Sequence, residues 1–130
     1  MIKTAILSLA LLASVTLDRS LVRFGDTEAF LKSQNGKVGV IKSQKVYKSI
    51  PAYQTIITER VKKDTARWFN LMTQATNTYR ACVTAIAKSQ KMVLVVETGG
   101  IQGYPVVSIT EMCIQRVKTM TPLPPLKSQK

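Results

Sequence analysis

The sequence predicts an α+β fold: a small strand-rich body of about three strands, a short antiparallel helical hairpin and a C-terminal helix. Three observations lead there. Apolar runs at 38–41 and 92–96 are short and bounded by turn or polar residues, as buried strands are. Between them, a stretch starting at Pro51 repeats apolar or small residues at helical spacing. After Ser108 a second helical pattern runs until a proline-rich tail.

At the N-terminus, Met1-Ile2-Lys3 leads into a mostly apolar stretch over 4–17 that contains several small residues. Its length suits the apolar region of a secretory signal and falls short of the roughly 20 residues that span a bilayer. Residues 1–17 are therefore expected to be a signal peptide. A clean Ala-x-Ala site is missing, although Ala13, Ser14 and Thr16 offer small residues, so the cleavage point and an uncleaved anchor both stay open. Residues 18–36 are expected to be a linker holding a short helix, capped by Asp26, running through Lys32 and stopped by Asn35-Gly36.

The main domain is placed at 37–120. Val38, Val40 and Ile41 form a strand whose internal Gly39 points to close packing against a neighbour, with Lys37, Lys42, Lys45 and Lys48 around it. Pro51 marks a helix start, because its ring fits the first turn and cannot continue an earlier helix. From there, Val61, Thr65, Trp68, Met72, Ala75, Tyr79, Cys82 and Ile86 alternate spacings of four and three. That is the seam of an imperfect coiled coil, and a single amphipathic helix lying on a core explains it nearly as well. A continuous helix over 51–88 would end about 55 Å from its start, too far to return the chain to a shared sheet. The weak helix formers at 73–78 are therefore expected to turn it into a hairpin whose arms span about 51–89.

Residues 92–96 read as a buried strand, 97–100 as a glycine turn, and 101–107 as a returning edge strand interrupted by Gly103 and Pro105. Ser108 and Glu111 have the spacing of a capping box. Ile109, Met112, Cys113, Val117 and Met120 then share one helical face, and 121–130, with Pro122, Pro124 and Pro125, is expected to be a flexible tail.

Nineteen lysines and arginines against seven acidic residues give a formal charge of +12, so the chain repels itself and attracts anionic partners. There is no histidine, which removes the usual general base and every Ser-His or Cys-His arrangement. Ser and Lys are adjacent in four Lys-Ser-Gln tripeptides, at Lys32, Lys42, Lys88 and Lys127, but adjacent residues do not face each other on a helix or a strand. Gly99, Gly100 and Gly103 lack the spacing and the lysine of a phosphate loop. A non-enzyme without cofactor or metal is expected. Cys82 and Cys113 are open to two assignments, a disulfide worth roughly 3–4 kcal/mol or two small apolar packing residues on helices.

What remains is a charged surface. Arg60, Lys62, Lys63 and Arg67 cluster on the first arm, Arg80 and Lys88 lie on the second, and only Glu59 and Asp64 oppose them there. Beside them stand Trp68, Phe69, Met72 and Tyr79. A basic face with interleaved apolar side chains can hold an extended chain by weak contacts at many points. A solvated helix face explains each cation taken singly.

Six short segments taken in order carry a family likeness: Val38-Gly39-Val40-Ile41, Gln44-Lys45-Val46-Tyr47, Pro51-Ala52-Tyr53, Ala87-Lys88 ahead of Leu94-Val95-Val96-Glu97, and Ile109-Thr110. Together they resemble the OmpH/Skp family of periplasmic chaperones over roughly half the chain. The resemblance implies an ATP-independent holdase that binds unfolded outer-membrane proteins, is located in the periplasm and assembles as a homotrimer through its strand-rich body. The chain departs from the family in its shortened helical arms, in the extra segment before the first strand and in Lys42, where family members tend to have Asp or Asn. An alternative from another class is a basic envelope protein that binds lipopolysaccharide or anionic lipid. Nucleic-acid binding fits the charge but not the export signal, and no recognition motif accompanies it.

Overall fold

The structure is a computed structural model and describes residues 15–120. The apolar stretch up to 14 and the tail at 121–130 lie outside the described residues. The fold is α+β, as predicted, with a mixed four-stranded sheet and a separate two-stranded ribbon.

In chain order the strands are β1 (Thr16–Leu17), β2 (Val22–Gly25), β3 (Lys37–Ile41), β4 (Met92–Glu97), β5 (Ile101–Gln102) and β6 (Val107–Ser108). The helices are α1 (Thr27–Ser33), α2 (Ser43–Ser49), α3 (Pro51–Thr58), α4 (Ala66–Ser89) and α5 (Thr110–Met120). The sheet has the order β2-β4-β3-β6, in which β3 is parallel to both β4 and β6, and β2 is antiparallel to β4. The ribbon pairs β1 with β5.

Apolar side chains on both faces of β3 and β4 put a core on each side of the sheet. On one side, Ile41, Met92 and Val95 meet Val46, Ala75, Tyr79, Cys82, Val83, Ile109, Cys113 and Val117 from α2, α4 and the α5 region. On the other, Val38, Val40, Leu94 and Val96 meet Phe30 of α1 and Ile101, with Val15 and Leu17 packed alongside. Gly39 makes the first arrangement fit, since a Cβ there would come within 2.6 Å of Met92 Sδ. At Gly25, φ is +104° and a Cβ would meet the Val93 carbonyl oxygen at 2.2 Å, so the strand edge needs glycine for both reasons.

Local signals account for several elements. Asp26 caps α1 by accepting from the Ala29 amide at 3.1 Å, and Pro51 occupies the first turn of α3. Met112, Cys113, Val117 and Met120 lie along the inward face of α5.

Four expectations need correction. The chain does form a helical hairpin, but α4 runs unbroken through 73–78, and the turn lies at 59–65. Residues 73–78 are poor helix formers, yet Ala75 and Tyr79 bury fully or nearly so against the body, and that burial outweighs propensity. The actual turn holds Arg60 and Asp64 at φ 49° and 70°, and Thr65 restarts the helix by accepting from the Trp68 amide at 3.2 Å. From Ala75 onward the seam lies on the core, so α4 is an amphipathic helix packed on the body.

Residues 18–36 are not only a linker, because β2 pairs with central β4, and Thr16–Leu17, inside the expected signal, pairs with β5. The expected edge strand over 101–107 is two strands in two different sheets, parted by Gly103 and Pro105. Ser108 is not the cap of α5. It lies in β6 opposite Val40, and the Ile109 carbonyl accepts the first helical bond, from Cys113 N at 3.0 Å.

The cysteines are not joined: both thiols are free and buried, with Cys82 Sγ 3.3 Å from Met120 Sδ. Burial pushes the Cys82 thiol up, and it drives Cys113, with some help from Cys82, up to about 12. Of the three Lys-Ser-Gln tripeptides within the described residues, two end helices at Gln34 and Gln90 and one begins α2 at Lys42, while the fourth, at Lys127, lies outside them.

Candidate functional site

The expected site residues fall into three places. The end of the α3–α4 hairpin collects Arg60, Lys62, Lys63, Arg67 and Trp68. Glu59 and Arg67 close the turn with an ion pair at 2.5 Å, and both are more than half exposed. None of Arg60, Lys62 and Lys63 makes an ion pair among the described residues. Around this basic loop, Ile57 in the last turn of α3 is 60% exposed and Phe69 in the first turn of α4 is 52% exposed. Trp68 is half-buried and meets Phe69 edge-on with ring centroids 5.1 Å apart. Met72, one turn further along, is also half-buried.

Lys88 lies elsewhere. It occupies the last turn of α4, about 30 Å from Arg67 at 1.5 Å per residue, where its charge complements the helix C-terminus. It does not join the hairpin end.

Tyr79 and Arg80 belong to a third place, a cleft of about 440 Å³ lined also by Val22, Arg23, Ser43, Tyr47 and Thr76. Tyr79 is no surface contact: it is a core residue, 7% exposed, with its ring stacked on Tyr47 at 4.7 Å. Strand register explains the convergence. Ile41 and Glu97 are partners at the carboxyl ends of parallel β3 and β4, and Val22 of antiparallel β2 is opposite Val96, so the start of β2 reaches the same end. Ligands of open sheets with parallel strands commonly bind at such ends.

Glu97 organises the floor of this region. Its carboxylate accepts from the Ser43 amide at 2.8 Å and from Ser43 Oγ at 2.5 Å, and so caps α2 from another strand. Arg23 Nε donates to the same carboxylate at 3.2 Å. Tyr79 OH and Ser43 Oγ are also hydrogen-bonded, and Tyr47 OH meets Thr76 Oγ1 at 3.2 Å. Burial, with Glu97 adding to it against the Ser43 bond, holds the Tyr79 phenol above its ordinary range, so Tyr79 stays protonated.

The cleft residues Arg23, Ser43, Tyr47 and Thr76 were not expected at a site. They come from β2, α2 and α4 and share no motif, and only the fold brings them together. Ile57 was missed as well; its signal in the sequence is an isoleucine two residues ahead of a run of charges. Among the described residues, no cluster of three or more His, Cys, Asp or Glu is suited to a metal ion, and no helix is long and apolar enough to cross a membrane. No protein-family model, curated protein or solved structure matches the chain.

Proposed function

We propose that this chain is an exported holdase of the OmpH/Skp type, which captures unfolded outer-membrane proteins at the end of its α3–α4 hairpin without ATP or other cofactor. The observation that carries this reading is the exposure of Ile57 and Phe69 on the two helical turns that flank Arg60, Lys62 and Lys63. Exposed apolar side chains supply contact to an unfolded chain, and the cations steer its approach. Because α3 has 8 residues and α4 is packed on the body from Ala75 onward, the gripping surface is confined to the hairpin turn and the first turns of α4. The grip is accordingly open, and assembly as a trimer would place several such ends around one client.

Light scattering tests this. A urea-unfolded outer-membrane barrel protein is diluted into buffer with and without the chain, at low and at physiological salt. Suppression of aggregation at the stoichiometry of a trimer per client is expected, and it should weaken in Phe69→Ser and in the combined Arg60→Gln, Lys62→Gln, Lys63→Gln variant. These substitutions are exposed and should leave stability within about 0.5 kcal/mol. No suppression at either salt would refute the holdase and move the function to binding of lipopolysaccharide or anionic lipid.

A further inference from the structure

The cleft at the carboxyl ends of β3 and β4 has no part in capture at the hairpin end, yet several polar groups line it together. Glu97 offsets the charge of Arg23, to which it is paired at 3.2 Å. Arg80, also on the lining, is exposed and makes no ion pair among the described residues. The site therefore presents one uncompensated positive charge.

The hydroxyl hydrogens can be counted as well. Ser43 Oγ donates to Glu97, which leaves the Tyr79 hydroxyl to donate to Ser43 Oγ, so both of those hydrogens are spent inside the protein. Tyr47 and Thr76 share one hydrogen bond between two hydroxyls, so one hydrogen remains free to donate. Arg80 adds a planar fork of donors that matches a carboxylate. The remaining walls are Val22 and the outer parts of Tyr47 and Tyr79, whose rings are stacked on each other, and these suit an apolar body. A volume of about 440 Å³ accommodates a small organic molecule.

We propose that this cleft binds a small carboxylate that carries an apolar or aromatic body, with Arg80 holding the carboxylate and the Tyr47–Thr76 pair donating a second hydrogen bond. The site is independent of client capture.

The test is an amide NMR titration of the full chain with 3-phenylpropionate, alongside the uncharged 3-phenylpropanol and phenyl phosphate. Shifts are expected at the amides of Arg23, Ser43, Tyr47, Thr76 and Arg80 with 3-phenylpropionate, much weaker ones with the alcohol, and no tighter binding of the phosphate. Arg80→Gln should weaken 3-phenylpropionate about tenfold, as removal of a charge-assisted hydrogen bond does. Arg80→Lys should fall between the two, and Arg67→Gln at the hairpin end should change nothing. Absence of shifts at millimolar ligand, shifts centred on 59–69, or equal affinity in Arg80→Gln would overturn the proposal. Tighter binding of phenyl phosphate would overturn the assignment to a carboxylate. Because Arg67→Gln and Arg80→Gln separate the two surfaces, failure here leaves the holdase test unaffected.

Discussion

Replacing Glu97 by alanine should destabilise the fold well beyond the loss of a surface charge. The carboxylate is 22% exposed and accepts two hydrogen bonds from Ser43, one from the amide that opens α2. Removing it leaves that amide without its cap and Ser43 Oγ without its acceptor, a loss of about 1.5–3 kcal/mol for bonds to a charged group. The Arg23 pair adds at most about 1 kcal/mol, because its guanidinium is partly solvated. The combined cost is about 1.5–4 kcal/mol, which lowers Tm by roughly 5–15 °C in a domain of this size.

Urea unfolding followed by circular dichroism would show the loss as a lower midpoint with an unchanged slope. Glu97→Gln keeps a carbonyl acceptor for Ser43 and should cost about half as much. A double-mutant cycle of Glu97→Ala with Ser43→Ala should give a coupling of at least about 0.5 kcal/mol. If Glu97→Ala costs less than about 0.5 kcal/mol, the cap contributes no more than an ordinary surface residue and the reasoning fails.

Other outcomes follow from the same structure. Cys113 is pushed up to about 12 in the folded chain, whereas the unfolded chain ionises near the ordinary 9.0. The unfolded state therefore loses a proton first, and stability should fall as pH rises above 9, by up to about 1.4 kcal/mol per pH unit. Cys113→Ala should flatten the fall in urea midpoint, and identical slopes in the two proteins would refute it. Trp68, the single tryptophan, is half-buried beside exposed Phe69, so its emission should shift to the blue when an unfolded client binds and stay put if capture occurs elsewhere. A chain begun at Asp18 lacks β1 and the contacts of Val15 and Leu17 with the second core. It should be about 1–3 kcal/mol less stable than one begun at Val15, and equal urea midpoints would show that β1 contributes nothing.

What the sequence revealed was local. Asp26 and Pro51 mark helix starts by their own chemistry, and the apolar runs of β3 and β4 have no other place than a buried sheet. The turn at 59–65 was hidden because its residues are charged and its left-handed positions are held by Arg60 and Asp64, not glycine. The weak helix formers at 73–78 drew attention because their burial against the body is invisible until the fold is known. Strand β2 escaped because Val22–Gly25 is only four residues long and its partner is some 70 positions later. Of the site, the basic loop was legible as composition, while the cleft required three strands to bring their ends into register.

The strand pairings divide the chain in a particular way. Every ladder joins a strand from before the α3–α4 turn to one from after it: β1 to β5, β2 to β4, and β3 to both β4 and β6. Among the described residues, no two strands on the same side of that turn pair with each other. A nascent chain can therefore form helices but none of these ladders until residues near Glu97 have emerged, and contacts so distant in sequence make folding slow. Until then the first half can be threaded through a narrow passage without unzipping any ladder. A single cut within 59–65 should yield two fragments that hold no sheet apart and recover it only on meeting.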